Sequence, residues 1–214
     1  MFKIIVPRLL MLLVLGALVY FGIRPNAGER QMQRSEAALK QAKSWRMHFW
    51  STGPDLDQEF TEEVMCPDSR HQWQEIKFHS NGNAMDTESF LVPGYKYQKD
   101  PGQQWKRFAA TRAVYVPCYG EPPLLKDGQF PSLRQVLARA SIKKGEQAWV
   151  GSDVCRNWEI KFQSLNGMPT DYVYCISEAD NLPREMRTID SSVKMQYTDW
   201  NQTIDIQPPP GDFN

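Results

Sequence analysis

The residues that could do acid–base chemistry are few and scattered along the chain. The three histidines, His48, His71 and His79, do not form an HExxH metal-binding motif, and no G-x-S-x-G motif supplies a nucleophilic serine. The neighbouring carboxylates Glu62 and Glu63 are typical of solvated charges. Because no nucleophile and base are arranged together, the sequence predicts a protein that is not an enzyme.

The four cysteines predict covalent cross-links rather than a metal site. Cys66, Cys118, Cys155 and Cys175 are an even number, and no CxxC pair of the kind found in zinc sites is present. The sequence therefore predicts no bound metal and no cofactor. The alternative is four reduced thiols in a cytosolic domain, which the N-terminal sequence disfavours.

Two alternating runs near the C-terminus, residues 154–162 and 171–177, predict a β-hairpin around turn-forming residues at 164–169. Alternation places one set of side chains from both strands on a common apolar face, which must be covered by helices or by a ligand. We expect this face to bind an apolar ligand. Its members are Trp158, Ile160, Phe162, Tyr172, Tyr174 and Ile176.

The same hairpin predicts how the cysteines pair. Cys155 and Cys175 fall on the face opposite the aromatic residues, at similar distances from the turn, so we expect a cross-strand disulfide between them. By elimination, Cys66 would then pair with Cys118.

The N-terminal segment is the most apolar part of the chain. Residues 4–23 are almost wholly apolar, and a helix of that length spans about 30 Å, enough to cross a membrane. A cleaved signal peptide is the alternative, although Pro25 makes the nearest cleavage site a poor one. We divide the chain into an anchor or signal segment, residues 1–27, and one extracytoplasmic domain, residues 28–214.

Composition and periodicity indicate the fold class and exclude one kind of partner. The chain carries 25 basic and 25 acidic residues without a long basic cluster, so no nucleic-acid partner is expected. Residues 28–46 and 132–140 predict helices, and short runs between turn-forming residues predict strands. The order indicates an α+β domain on a large antiparallel sheet. Predicted strands include residues 60–66, 72–79, 89–92, 95–99, 147–150, 183–188, 193–198 and 201–206.

Several features of the second half occur together at a characteristic spacing. They are Trp149-Val150-Gly151 followed by Cys155 and Trp158, the corner Asn181-Leu182-Pro183-Arg184, the run from Val193 to Asn201, and Ile204-Asp205-Ile206-Gln207-Pro208-Pro209. This pattern resembles the C-terminal half of the bacterial lipoprotein-carrier superfamily, the LolA/LppX-like folds. The resemblance covers most of residues 30–210.

The resemblance implies a half-barrel of antiparallel strands curled around helices, with a concave apolar face that can hold acyl chains. It suggests a non-catalytic protein that binds a lipid or a lipoprotein acyl chain. Those carriers are usually soluble or lipid-anchored, whereas the apolar N-terminal helix of this chain predicts a tether to the bacterial cell membrane. Its domain would face the periplasm or the cell exterior. The alternative is a sensory or protein-interaction domain of the same fold without lipid cargo.

The predicted anchor can be tested by fractionation. A C-terminally tagged chain should sediment with membranes and stay there in high salt, because an inserted helix is held by hydrophobic burial rather than by charge. A mature N-terminus near Gly28, found by N-terminal sequencing, would show cleavage and exclude the anchor.

Overall fold

One helix and eleven strands make up the described part of the chain. A computed structural model describes residues 26–110, 140–162 and 171–211. No helix within these ranges is long and apolar enough to span a membrane. The predicted N-terminal anchor and most of the predicted helix at 132–140 lie outside the described residues; Ala140 itself begins a strand.

The elements follow one another as a helix and two meanders. They are α1 (Ala27–Leu39), β1 (Ser44–Thr52), β2 (Leu56–Met65), β3 (Ser69–Phe78), β4 (Ala84–Val92), β5 (Tyr95–Lys99), β6 (Lys106–Ala109), β7 (Ala140–Val150), β8 (Asp153–Phe162), β9 (Asp171–Ser177), β10 (Pro183–Thr188) and β11 (Val193–Thr198). The predicted last strand at 201–206 is wrong, because that stretch has no ladder partner. Its Ile204 is nevertheless buried.

The helix begins where its sequence predicts and ends earlier. The Asn26 side chain accepts a hydrogen bond from the Glu29 N–H at 2.8 Å, and the Glu29 carboxylate accepts one from the Asn26 N–H at 3.1 Å. This capping box satisfies two backbone donors that the first turn would leave free. The predicted end at residue 46 is wrong, because Trp45 already belongs to β1 and lies opposite Val64 of β2.

All eleven strands form one antiparallel sheet. Their order is β6-β5-β4-β3-β2-β1-β11-β10-β9-β8-β7, so β1 and β11 join the two meanders at its centre. Strands β6 and β7 lie at opposite edges and do not pair with each other, which leaves the described sheet open. The predicted α+β class and large antiparallel sheet are confirmed.

Strand alternation gives the sheet two distinct faces. The helix face, against which α1 packs, carries Trp45 and Met47 at its centre and Trp158 towards β7. On this face Met32 of α1 packs with Trp158, Ile160 and Ile176 in one buried cluster. The opposite face, here called the outer face, carries the disulfide.

The predicted bridge between Cys155 and Cys175 is confirmed. The two cysteines lie diagonally across β8 and β9 on the outer face, with Cα atoms 5.3 Å apart, and both are buried. The local alternation was sufficient to find this pair. Cys118 lies outside the described residues, so the Cys66–Cys118 bridge stays a prediction.

The leucine-proline-arginine corner fixes one end of the second meander. Arg184 is buried and donates to the carboxylates of Asp153, at 2.5 Å, and Asp180, at 2.7 Å. The Trp200 indole N–H donates to the Pro183 carbonyl at 2.8 Å. These bonds tie the β8, β9 and β10 ends together and close the core below α1.

The close approach of α1 to β7 gives a stability prediction. A Cβ added at Gly28 would overlap the Ile142 side chain. Helix propensity alone would make Gly28→Ala stabilising by up to about 1 kcal/mol, whereas overpacking costs about 1–3 kcal/mol. We therefore expect a net loss of stability, measured by chemical denaturation.

A double-mutant cycle provides the control for this overlap. Because Ile142→Ala removes part of the obstruction, Gly28→Ala combined with Ile142→Ala should cost less than the sum of the single changes. Additive losses would show that the contact between α1 and β7 is not the cause.

Candidate functional site

One row of apolar and aromatic side chains crosses the helix face from strand to strand. Phe60 lies opposite Phe49, and Phe49 lies opposite Met195. Met195 lies opposite Met186, and the row continues through Tyr174 to Trp158. We call these six residues, Phe60, Phe49, Met195, Met186, Tyr174 and Trp158, the apolar row.

Burial along the apolar row is uneven. Trp158 and Met195 are fully buried, whereas Phe49, Phe60, Met186 and Tyr174 are only half-buried. Phe49, Phe60 and Met186 pack against the central cluster, whereas Tyr174 packs against the cluster that contains Met32 of α1.

The predicted ligand-binding residues share one face, as the alternation indicated. Trp158 lies opposite Tyr174, and Ile160 lies opposite Tyr172. Three of the six, Trp158, Ile160 and Ile176, are buried beneath Met32, so α1 covers them. Tyr172 and Tyr174 are half-buried. Phe162 is the last residue of β8, and its side chain lies outside the described part.

The buried Trp158 indole has one unsatisfied polar atom. Among the described residues its Nε1–H finds no hydrogen-bond partner, although Trp158 is only 6% exposed. Buried donors of this kind are rare because each costs desolvation free energy that no hydrogen bond compensates. The Nε1–H of Trp158 is therefore an unsatisfied hydrogen-bond donor within an otherwise apolar cluster.

Beyond Phe60 this row of the helix face becomes polar. Gln74 lies opposite Phe60, and Thr87 lies opposite Gln74, so the row continues with amide and hydroxyl groups. A groove of about 230 Å³ lies here. Its lining on the helix face is Phe60, Gln72, Gln74, Thr87, Ser89, Lys96 and Gln98.

A buried charge marks the boundary between the apolar and polar parts. Glu62 is 4% exposed and accepts hydrogen bonds from Arg70, at 2.7 Å, and from the Gln72 amide, at 2.8 Å. A carboxylate at this depth needs such partners to remain ionised. The prediction that Glu62 is solvated is therefore wrong, since the β2–β3 register brings Gln72 directly opposite it.

Two tyrosines of the helix face are held in their neutral form. Burial raises the pKa of Tyr174 to about 12, and the neighbouring Tyr172 adds to the effect. Burial also raises the pKa of Tyr197, with smaller contributions from Tyr174 and Glu62. These hydroxyls are hydrogen-bonding groups rather than acids or bases at neutral pH.

The histidines lie on the outer face, each beside a carboxylate. His48 Nε2 is 2.5 Å from Glu59, and His79 Nε2 is 3.0 Å from Asp57. His71 lies between two carboxylates, Glu63 at 3.2 Å and Glu88 at 2.9 Å. Strand register was needed to find these pairs. Within the described ranges no group of three or more histidine, cysteine, aspartate or glutamate side chains is arranged to hold a metal ion.

Comparison with known proteins supports the fold. No protein-family model and no curated protein matches this chain. The structure is similar to that of LprF from Mycobacterium bovis, with a TM-score of 0.50 and 11% identity over 85% of this chain and 96% of that one. The predicted resemblance to the LolA/LppX-like folds is confirmed as a likeness of fold. At this identity the likeness shows the fold alone.

Two other solved structures match more distantly. The LolA superfamily protein NE2245 from Nitrosomonas europaea has a TM-score of 0.29 and 6% identity over 87% of this chain and 96% of that one. MucB, in the Pseudomonas aeruginosa MucA/MucB complex, has a TM-score of 0.39 and 10% identity over 81% of this chain and 55% of that one.

The Tyr174 shift predicts how stability depends on alkaline pH. Because the folded pKa, about 12, exceeds the unfolded value of 10.0, the folded state holds the proton more tightly. The stabilisation is complete below pH 10 and is lost as pH rises towards 12. In Tyr174→Phe, denaturation series should show a shallower fall of stability across this window. A fall as steep in Tyr174→Phe as in the unmutated chain would contradict the assignment.

Proposed function

We propose that this chain is a membrane-tethered extracytoplasmic domain that binds the acyl chain of a lipid or lipoprotein on its helix face, without catalysis. The observation that carries the proposal is the apolar row. Four of its six side chains are only half-buried, and a ligand that covered their apolar surface would gain free energy from the hydrophobic effect. The likeness of fold to LprF is consistent with it.

The change of polarity along the helix face suits an amphiphile. An acyl chain would lie along Phe60, Phe49 and Met186, and the groove beyond Phe60 offers amide and hydroxyl groups to a polar end. Ligand sites of this kind combine an apolar lining with a few placed polar groups. The curled half-barrel shape belongs to the proposal and would make this face concave.

The location proposed for this domain depends on its N-terminus and its cysteines. The apolar segment within residues 1–27 would hold the domain at a bacterial cell membrane, facing the periplasm or the exterior. The disulfide between Cys155 and Cys175 supports an oxidising compartment. The single sheet formed by the described residues supports treating residues 28–214 as one domain.

A photoreactive fatty acid tests the proposal on the full chain. Cross-linked peptides should come from β1, β2, β9 and β10, where the half-buried side chains lie. Phe49→Ala should reduce labelling about tenfold, because losing a buried aromatic contact costs on the order of 1.4 kcal/mol. Mass spectrometry of the labelled peptides measures the change.

The next residue along β1 provides the matched control. Trp50 is also half-buried but lies on the outer face, where it stacks against His48 with ring centroids 3.7 Å apart. Trp50→Ala should therefore leave the labelling unchanged. Absence of labelling in the unmutated chain would sink the lipid-binding function and favour the sensory or protein-interaction alternative.

A further inference from the structure

The cations of the β5–β6 hairpin differ from those of the central strands. Arg46, Arg70 and Lys194 each lie within 3.2 Å of a carboxylate oxygen. Among the described residues, no cation of β5 or β6 forms such an ion pair; two of them donate only to glutamine amides, at 3.0 and 2.6 Å. These cations are Lys96, Lys99, Lys106 and Arg107.

Exposed aromatic rings lie among these cations. Phe108 is 48% exposed and lies opposite Lys96, and Tyr95 is 44% exposed at the start of β5. The Arg107 guanidinium is 5.2 Å from the centre of the Tyr95 ring. Aromatic rings beside lysine and arginine are typical of protein surfaces that contact lipid headgroups.

Strand β6 presents this chemistry at an open edge. It pairs only with β5 in the described sheet, and all four of its residues are exposed. Alternation directs Lys106 and Phe108 to the helix face and Arg107 to the outer face. We call these residues, with Tyr95, Lys96 and Lys99, the basic edge.

We infer that the basic edge docks onto an anionic membrane surface. Its uncompensated positive charge is complementary to acidic headgroups, and Tyr95 and Phe108 suit the interface just beneath them. The alternative partner, an acidic peptide that pairs with β6 as a further strand of the sheet, is disfavoured by the length and composition of β6. A four-residue strand with adjacent basic side chains is typical of edges that resist strand addition. The inference does not depend on lipid binding in the cleft.

The opposite edge of the sheet offers a matched comparison. Strand β7 also carries two exposed lysines, Lys143 and Lys144. However, Lys143 lies directly opposite Glu159. The pKa of Glu178 is lowered mainly by the hydrogen bond between Glu178 and Arg156, and to a smaller extent by the charge of Lys144. The lysines of β7 therefore have nearby acidic groups, whereas on the basic edge only Lys99 lies opposite a carboxylate, that of Glu88 on β4.

Hydrogen exchange of the full chain in bilayer nanodiscs tests the docking. Amide exchange in residues 95–109 should slow several-fold in discs of phosphatidylcholine with phosphatidylglycerol, relative to phosphatidylcholine alone. High salt should reverse the protection, because the attraction is screened. Exchange in residues 140–150, on the opposite edge, should be the same in both discs.

Two charge-reversal variants, one on each edge, change the net charge of the chain by the same amount and so separate the effect of position from that of total charge. Lys106→Glu combined with Arg107→Glu should abolish the protection, whereas Lys143→Glu combined with Lys144→Glu should retain it. Unchanged exchange in residues 153–162 shows that each variant is folded. If the reversal unfolds the chain, neutralisation by Lys106→Gln with Arg107→Gln should still reduce the protection.

Three results would overturn the inference. They are equal exchange of residues 95–109 in the two kinds of disc, protection that survives the change at Lys106 and Arg107, and protection produced by soluble polyglutamate but not by phosphatidylglycerol. The last result would identify an acidic polypeptide as the partner.

Discussion

The width of the sheet, set against the length of α1, is the constraint from which the other features follow. Thirteen helical residues extend about 20 Å, whereas eleven strands at their usual spacing extend about 48 Å. The helix can therefore cover less than half of the described sheet. It buries Trp158 and Ile176 beneath Met32 and reaches Trp45 at the centre through Ala38 and Leu39. Elsewhere the helix face must be polar, or be covered by something other than α1.

Where α1 does not cover the helix face, that face includes a buried charged group. Glu62 lies next to the apolar row, and its bonds to Arg70 and Gln72 replace the solvation that it loses on burial. Without these partners a carboxylate at that position would destabilise the sheet. With them, the face passes from aromatic to amide and hydroxyl side chains within one strand spacing. That abrupt change is what makes an amphiphile a better match than a wholly apolar ligand.

Local patterns in the sequence predicted local structure, and they failed where distant strands decided the outcome. The β8–β9 hairpin and its disulfide required only alternation and a turn, so Cys155 and Cys175 could be paired without knowing the rest of the sheet. The end of α1 was misplaced because Trp45 pairs with Val64 of β2 and its ring packs against Trp200, which helical periodicity does not reveal. Burial of Glu62 was missed for the same reason. Its partners lie on β3, and only the register identifies them.

The two proposed surfaces meet at one residue. Lys96 lines the polar groove and also belongs to the basic edge, opposite Phe108. If the basic edge rests on anionic headgroups, the polar end of the helix face lies beside the membrane. An amphiphile leaving the bilayer would then meet the groove before the apolar row, with its polar end still near solvent. Such an order avoids exposing the acyl chain to water during transfer, since the apolar row begins at Phe60, where the groove ends.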